Sequence, residues 1–286
     1  MEDIVQDLLQ HMTLERLEEN VFSGDSRHLS GKNVFGGQIL GQALVAASQT
    51  VEGRAAHSLH AYFLRLGDNT IPVTYEVDRI RDGRSYTTRR VVAIQRDKPI
   101  FNMSASFKTE EEGIEHQVVM PEVSGPDDLL NTIELARQIE AEIPAKLSQF
   151  LTKERPIEFR PVQPAHPLHP EPCSPFRQIW IRTKGSLPDD PAIHKALLAY
   201  TSDFSLLGTA LLPHALSFSQ ESIRAASLDH AMWFHRDFRM DEWLLYDMDS
   251  PSASHGRGFS RGNIFTRDGK LIASVTQEGM IRKIKD

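Results

Sequence analysis

Apolar and polar positions alternate with period two across much of this chain, and where the alternation stops, apolar residues crowd into stretches of helical length. Alternating runs near 57–65, 72–81, 85–95 and 99–108 predict four strands, and runs near 225–236, 242–249, 256–266 and 270–282 predict four more. An apolar stretch precedes each set. The first, near 36–50, starts on glycine; the second, near 191–212, has Asp190 as a candidate cap and Pro191 at the first helical position. The segment IHKALLAY…FSLLGTALL is apolar on almost every face, so it must be surrounded by protein. An antiparallel sheet wrapped around one buried, long apolar helix in each half satisfies both patterns, with hairpin signals at QRDKP and TRDGK joining consecutive strands. The expected class is α+β.

The middle of the chain has a different texture. Residues 126–152 read as helical, and prolines at 156, 161, 164, 167, 170, 172 and 175 predict an extended connector. The expected organisation is an N-terminal domain over 1–125, a helical and proline-rich connector over 126–176, and a C-terminal domain over 177–286.

The two halves also repeat one another. ILGQAL at 39–44 recurs as LLGTAL at 206–211, 167 residues on. Ser58-Leu59 recurs as Ser227-Leu228, 169 residues on. The stretch 75–100 lies against 246–271, where Tyr75/Tyr246, Asp78/Asp249, Arg90/Arg261, Arg96/Arg267 and Asp97/Asp268 all share an offset of 171. Three blocks in one order at nearly one spacing indicate an internal duplication.

Two copies help to separate scaffold from chemistry, because reactive groups can survive in only one. Projecting Gly36, Ser58 and Ser106 by the local offsets lands on Asp203, Ser227 and Gln277. Position alone makes Asp203 a cap or first-turn residue of the helix after it, yet a carboxylate beside so much apolar sequence is costly unless it is bonded or used. GFSRG at 258–262 matches the G-x-S-x-G elbow of serine hydrolases, but strand-forming residues and a hairpin turn follow Ser260 where that elbow needs a helix. Asp229 and His230 lie close to Ser227, although on a strand His230 faces away from the other two. His57, His60, His230 and His235 are therefore read as structural. His166, His169 and Cys173 sit in the proline-rich stretch, a poor place for a preformed metal site, and neither metal nor cofactor is expected.

Charge and composition narrow the partners. A net charge of −7 with scattered Lys and Arg leaves no basic footprint for nucleic acid or an anionic membrane. No apolar run approaches the ~18–20 residues of a membrane span, MEDIVQDLLQHM lacks signal-peptide character, and RKIKD does not resemble a peroxisomal address. The single cysteine fits a reducing compartment, so the expected location is cytoplasmic.

NVFGGQILGQAL, HSLHAYFLRLGD, RDGRSYTTRRVVAIQ, ASLDHAMWFHR, GRGFSRG and SVTQEGMIR together resemble the acyl-CoA thioesterase II, or TesB-type, family. The resemblance implies a double hotdog fold and hydrolysis of medium- or long-chain fatty acyl-CoA to free fatty acid and CoA. It places the family's functional Asp, Thr or Ser, and Gln on Asp203, Ser227 and Gln277, with Ser where many relatives have Thr. Those groups can orient one water, which Asp203 deprotonates as it attacks the thioester, with oxyanion donors expected near the start of the 203–212 helix. The resemblance also implies assembly as a homodimer or homotetramer. A hydratase-like enzyme using His230, and an acyl-CoA-binding protein without turnover, are the competing readings.

Overall fold

The hydrogen-bonding order of the strands carries the duplication into three dimensions. The computed structural model describes residues 2–26, 33–220 and 222–284. Its elements are α1 (Glu2–Met12), β1 (Glu15–Glu18), β2 (Val21–Gly24), α2 (Gly36–Ser48), β3 (Ala55–Phe63), β4 (Val73–Asp82), β5 (Tyr86–Gln95) and β6 (Lys98–Lys108) in the first half. Then come α3 (Thr132–Gln138), α4 (Ala145–Leu151), β7 (Ile157–Pro161), β8 (Phe176–Thr183), α5 (Pro191–Ser202), β9 (Ile223–Ser227), β10 (Asp229–Phe234), β11 (Leu244–Ser254), β12 (Arg257–Thr266) and β13 (Leu271–Lys283). The strand order is β1-β2-β4-β5-β6-β3-β10-β13-β12-β11-β8-β7, with β9 beside β13. Each half repeats the other's order outward from the centre. The two antiparallel sheets are continuous, because β3 and β10 pair with His60 opposite Ala231, giving 13 strands among the described residues.

The repeated residues do the same work twice. Tyr75 and Tyr246 are both buried beneath the helices, where Tyr75 donates to Gln42 Oε1 at 2.7 Å and Tyr246 to the Ser202 carbonyl at 3.0 Å. Asp78 and Arg90 face each other across β4 and β5 and pair at 2.9 Å. Asp249 and Arg261 repeat this across β11 and β12 at 2.6 Å. At the hairpins, Arg96 and Asp97 take positive φ in one copy and Gly269 does so in the other, as tight turns between twisted strands require.

Three segments differ from expectation. The apolar stretch 191–212 is not one helix: α5 stops at Ser202, Ser205 is left-handed at φ 67°, and a 3₁₀ turn runs from Leu207 to His214. At this end Thr201 and Ser202 bond back to the Leu197 and Ala199 carbonyls, which weakens the last turn slightly, and the left-handed Ser205 turns the chain out of the helix. The run 225–236 is broken at Leu228, whose N–H and C=O go to Glu278 and Phe63 while Ser227 lies opposite Gly279. The start of the proline-rich stretch is strand β7, paired to β8, and α3 begins with an Asn131–Glu134 capping box.

The helices α2 and α5 pack against each other antiparallel under the sheet, and glycine sets how closely. A Cβ on Gly41 would lie 3.0 Å from the Ala196 carbonyl, and one on Gly37 would run into the Tyr200 carbonyl. That approach brings the N-terminus of α2 to the C-terminus of α5. The site forms there.

Candidate functional site

Asp203 ends α5 as its C-cap, and the sharp turn after it directs the carboxylate toward Gly36 and Gly37 at the start of α2. Its Oδ2 accepts the Gly37 N–H at 2.9 Å. Its Oδ1 accepts Gln277 Nε2 at 2.6 Å and the Ser227 hydroxyl at 3.3 Å. Gln277 Nε2 also donates to Ser227 Oγ at 2.8 Å, which closes a triangle. Asp203, Ser227 and Gln277 are thus brought together from α5, β9 and β13, with the first half contributing a backbone donor. Asp203 does not start a helix, so the cap reading fails at that end. No helix starts at 203, the 3₁₀ turn beginning only at Leu207, and the α-helix N-terminus that reaches Asp203 is that of α2.

Electrostatics at this carboxylate oppose one another. Burial raises its pKa above the ordinary carboxylate range, and the bonds from Gln277, Gly37 and Ser227 hold it back only in part. The C-terminal end of α5 disfavours negative charge, whereas the N-terminal end of α2 favours it. A carboxylate held this way is more basic than a surface one and is already oriented.

The break at Leu228 matters to Ser227. Without it, the β10–β13 register, in which Ala231 lies opposite Thr276, carries Ser227 opposite Met280 and onto the other face of the sheet. With it, Ser227 moves opposite Gly279, and its hydroxyl reaches both Asp203 and Gln277. Asp229 holds the irregularity by accepting the Glu278 N–H at 2.7 Å. Aromatic rings wall the Asp203 side: Phe204 lies 4.4 Å from Phe35 and 5.3 Å from Phe159 between centroids, and Phe63 flanks Gly36.

The remaining sequence candidates lie elsewhere. His230 is fully buried, shares a 3.0 Å hydrogen bond with Ser202 Oγ, and has its pKa pushed down by burial to about 3. Burial holds it neutral, its bond goes to Ser202, and it does not enter the triangle, so the hydratase reading finds no His230–carboxylate pair here. His57 pairs with Ser106 at 2.8 Å, His235 with Ser274 at 3.0 Å, and His60 packs edge-on to Trp233. His166 Nδ1 accepts the N–H groups of Leu168 and His169, while Cys173 is exposed. No three His, Cys, Asp or Glu among the described residues are grouped to hold a metal. No helix among them is long and apolar enough to cross a membrane. Ser260 lies within β12, opposite Gln277, with no helix after it. Sequence reasoning missed Gly37, whose signal was the Gly36-Gly37 pair at the helix start.

Comparison with known proteins gives the family and the fold. The family model described as acyl-CoA thioesterase matches residues 147–280, and that of the acyl-CoA thioesterase N-terminal domain matches 25–108. Acyl-CoA thioesterase 2 of Haemophilus influenzae is 40% identical over 283 residues, which cover 99% of each chain. The structure of an acyl-CoA thioesterase II, TesB2, from Mycobacterium marinum superposes with a TM-score of 0.79 at 44% identity, over 96% of this chain and 98% of that one. A hot dog protein of unknown function from Alicyclobacillus acidocaldarius, 19% identical, matches the fold at TM-score 0.77 over 96% and 98% of the two chains.

Proposed function

This chain belongs to the acyl-CoA thioesterase family and hydrolyses acyl-CoA to a carboxylic acid and CoA, and we propose that it does so by direct attack of a water held by Asp203, Ser227 and Gln277. The observation that carries the reading is one carboxylate, raised in pKa by burial, that accepts bonds from Gly37, Ser227 and Gln277 at once. Those bonds fix its position without a charged partner. A water donating to Asp203 is then poised to lose its proton as its oxygen attacks the thioester carbon. The tetrahedral intermediate collapses by breaking the C–S bond, and CoA leaves as a thiolate. Thiolates are stable enough near neutral pH for modest proton assistance to suffice, and protonated Asp203 can supply it. No acyl-enzyme forms. The positive end of α2 beside Asp203 is suited to the developing oxyanion.

Phe35, Phe63 and Phe204, the last backed by Phe159, put apolar surface beside the carboxylate, which suits the apolar chain of a medium- or long-chain fatty acyl-CoA. The protein is further read as cytoplasmic and as a homodimer or homotetramer, within the domain scheme set out from the sequence. The decisive assay is release of CoA thiol from saturated acyl-CoA of increasing chain length, with a thiol-trapping dye as readout. Turnover should rise beyond short acyl chains, and no turnover at any length would refute the hydrolytic reading.

Four further outcomes are expected. The rate should fall in acid with a midpoint above the ordinary carboxylate range, because protonating Asp203 removes the base. His230 should leave no limb of its own between pH 5 and 8, since it is neutral there; a histidine-like limb abolished by His230→Gln would contradict the assignment. Ser227→Ala should lower kcat by about 10- to 100-fold, the scale of one lost positioning bond at a reacting group. Ser227→Thr keeps the hydroxyl and should stay within about threefold of the parent rate.

A further inference from the structure

Ser260, the serine of GFSRG, is fully buried in β12, and its Oγ meets no hydrogen-bond partner among the described residues. Gln277 is equally buried in β13. Its Nε2 donates to Asp203 and Ser227, yet its Oε1 has no partner. These two residues are directly opposed in the β12–β13 ladder, Ser260 against Gln277. Directly opposed residues send their side chains from the same face with Cβ atoms about 4.5–5.5 Å apart. An unused hydroxyl donor and an unused carbonyl acceptor therefore stand side by side, each costly to leave unpaired away from water. Rotation of the serine hydroxyl with a small lean of the amide, or one bridging water, satisfies both.

We propose that Ser260 is a positioning residue for hydrolysis, its hydroxyl donating to Gln277 Oε1 so that the amide is pinned with its NH₂ directed at Asp203 and Ser227. The proposal rests on the catalytic reading of Asp203 given above and extends it by one residue. The Asp203 carboxylate already disfavours a flipped amide, whose oxygen would face negative charge. Ser260 adds torsional control and polarises the amide, which strengthens donation from the far end. The duplication shows that the position is free to change, because its counterpart in the first half is Arg89, a buried side chain bonded to Thr50 and Asp82. Only in the half that holds Gln277 does a small hydroxyl stand there.

The test is a double-mutant cycle read through kcat, KM and the acid limb. Around Asp203 stand the Gly37 N–H from α2, Ser227 from β9 and Gln277 from β13. Nearby are also His230 from β10, neutral with its pKa at about 3, and Tyr246 from β11, which burial holds protonated well above its usual range. None of these changes charge between pH 4 and 9; Asp229, on β10 beside the break, is the other carboxylate raised by burial, and Asp229→Asn in each background removes its contribution so that the remaining limb reports Asp203. Ser260→Ala should lower kcat about 5- to 10-fold with KM within twofold, and should move the acid limb upward by about half a pH unit as donation to Asp203 weakens. In a Gln277→Ala background the same change should have no further effect. Wild-type kcat and a superimposable pH profile in folded Ser260→Ala would overturn the proposal, as would a loss that adds in full to that of Gln277→Ala. If Asp203→Asn retains activity, the underlying reading fails; if it loses activity while Ser260→Ala is silent, only the role of Ser260 falls.

Discussion

Asp203→Asn is expected to lower kcat for acyl-CoA hydrolysis by about 10³-fold, within the range for loss of a general base, or about 4 kcal/mol in barrier height. The substitution is nearly isosteric and keeps an oxygen able to accept the Gly37 N–H, so KM should change little. Stability separates lost chemistry from lost fold. Burial raises the carboxylate's pKa in the folded state above its unfolded value, so ionisation is opposed by folding. The associated stability is present in full below the ordinary carboxylate pKa and is lost as pH rises through the raised folded value. At neutral pH the parent protein bears that cost and the amide does not. The new amide also turns its NH₂ toward Gln277 Nε2 and loses that bond, so the pH dependence is the diagnostic: the unfolding temperature of Asp203→Asn relative to the parent's should be higher at neutral pH than in acid. A folded Asp203→Asn that turns over at the parent rate would remove Asp203 from the mechanism.

How far the sequence carried this picture depends on the kind of interaction. Period-two patterning located β3 to β6 and β9 to β13 to within a few residues, reading β9 and β10 as one run, because pleated, half-buried segments write their faces directly into residue order; it missed β1, β2, β7 and β8. The duplication carried more, since Asp78–Arg90 and Asp249–Arg261 proved to be the same cross-strand pair made twice. Its offsets also pointed to Asp203, Ser227 and Gln277, which meet within 3.3 Å of one another, although the ladders put Ala56 and Ala105, not Ser58 and Ser106, at the positions equivalent to Ser227 and Gln277. What stayed illegible were departures from regularity. The helix expected over 191–212 ends at Asp203 and the chain turns at the left-handed Ser205, a backbone departure that apolar periodicity does not register. The interruption at Leu228 is a single residue in an alternating run, and it re-aims Ser227. The pairing of β3 with β10 and the donation from Gly37 to Asp203 depend on how the halves meet. No local pattern encodes that.

Gly37→Ala should be the most damaging single change to the fold among the substitutions considered. The added Cβ meets the Tyr200 carbonyl well inside contact distance and the Phe35 ring at 2.5 Å. A backbone carbonyl within α5 cannot rotate aside, so the whole of α2 must move away from α5. Separating two packed helices opens space between buried residues such as Leu40, Leu44, Leu197 and Leu198, and overpacking of this kind costs about 1–3 kcal/mol before that loss is added. A total of about 3–5 kcal/mol is expected, enough to remove much of a typical domain's stability and lower its unfolding temperature by ten degrees or more. Helix propensity pulls weakly the other way, because alanine gains up to about 1 kcal/mol over glycine in a helix interior and less at its first turn. Any Gly37→Ala protein that does fold should still be impaired, since the N–H that holds Asp203 Oδ2 moves with the helix. Gly113→Ala is the matched control: it meets nothing within 4 Å and should leave both unfolding temperature and turnover unchanged. Equal stability of the two alanine variants would mean that α2 and α5 do not approach as closely as the Gly37–Tyr200 contact requires.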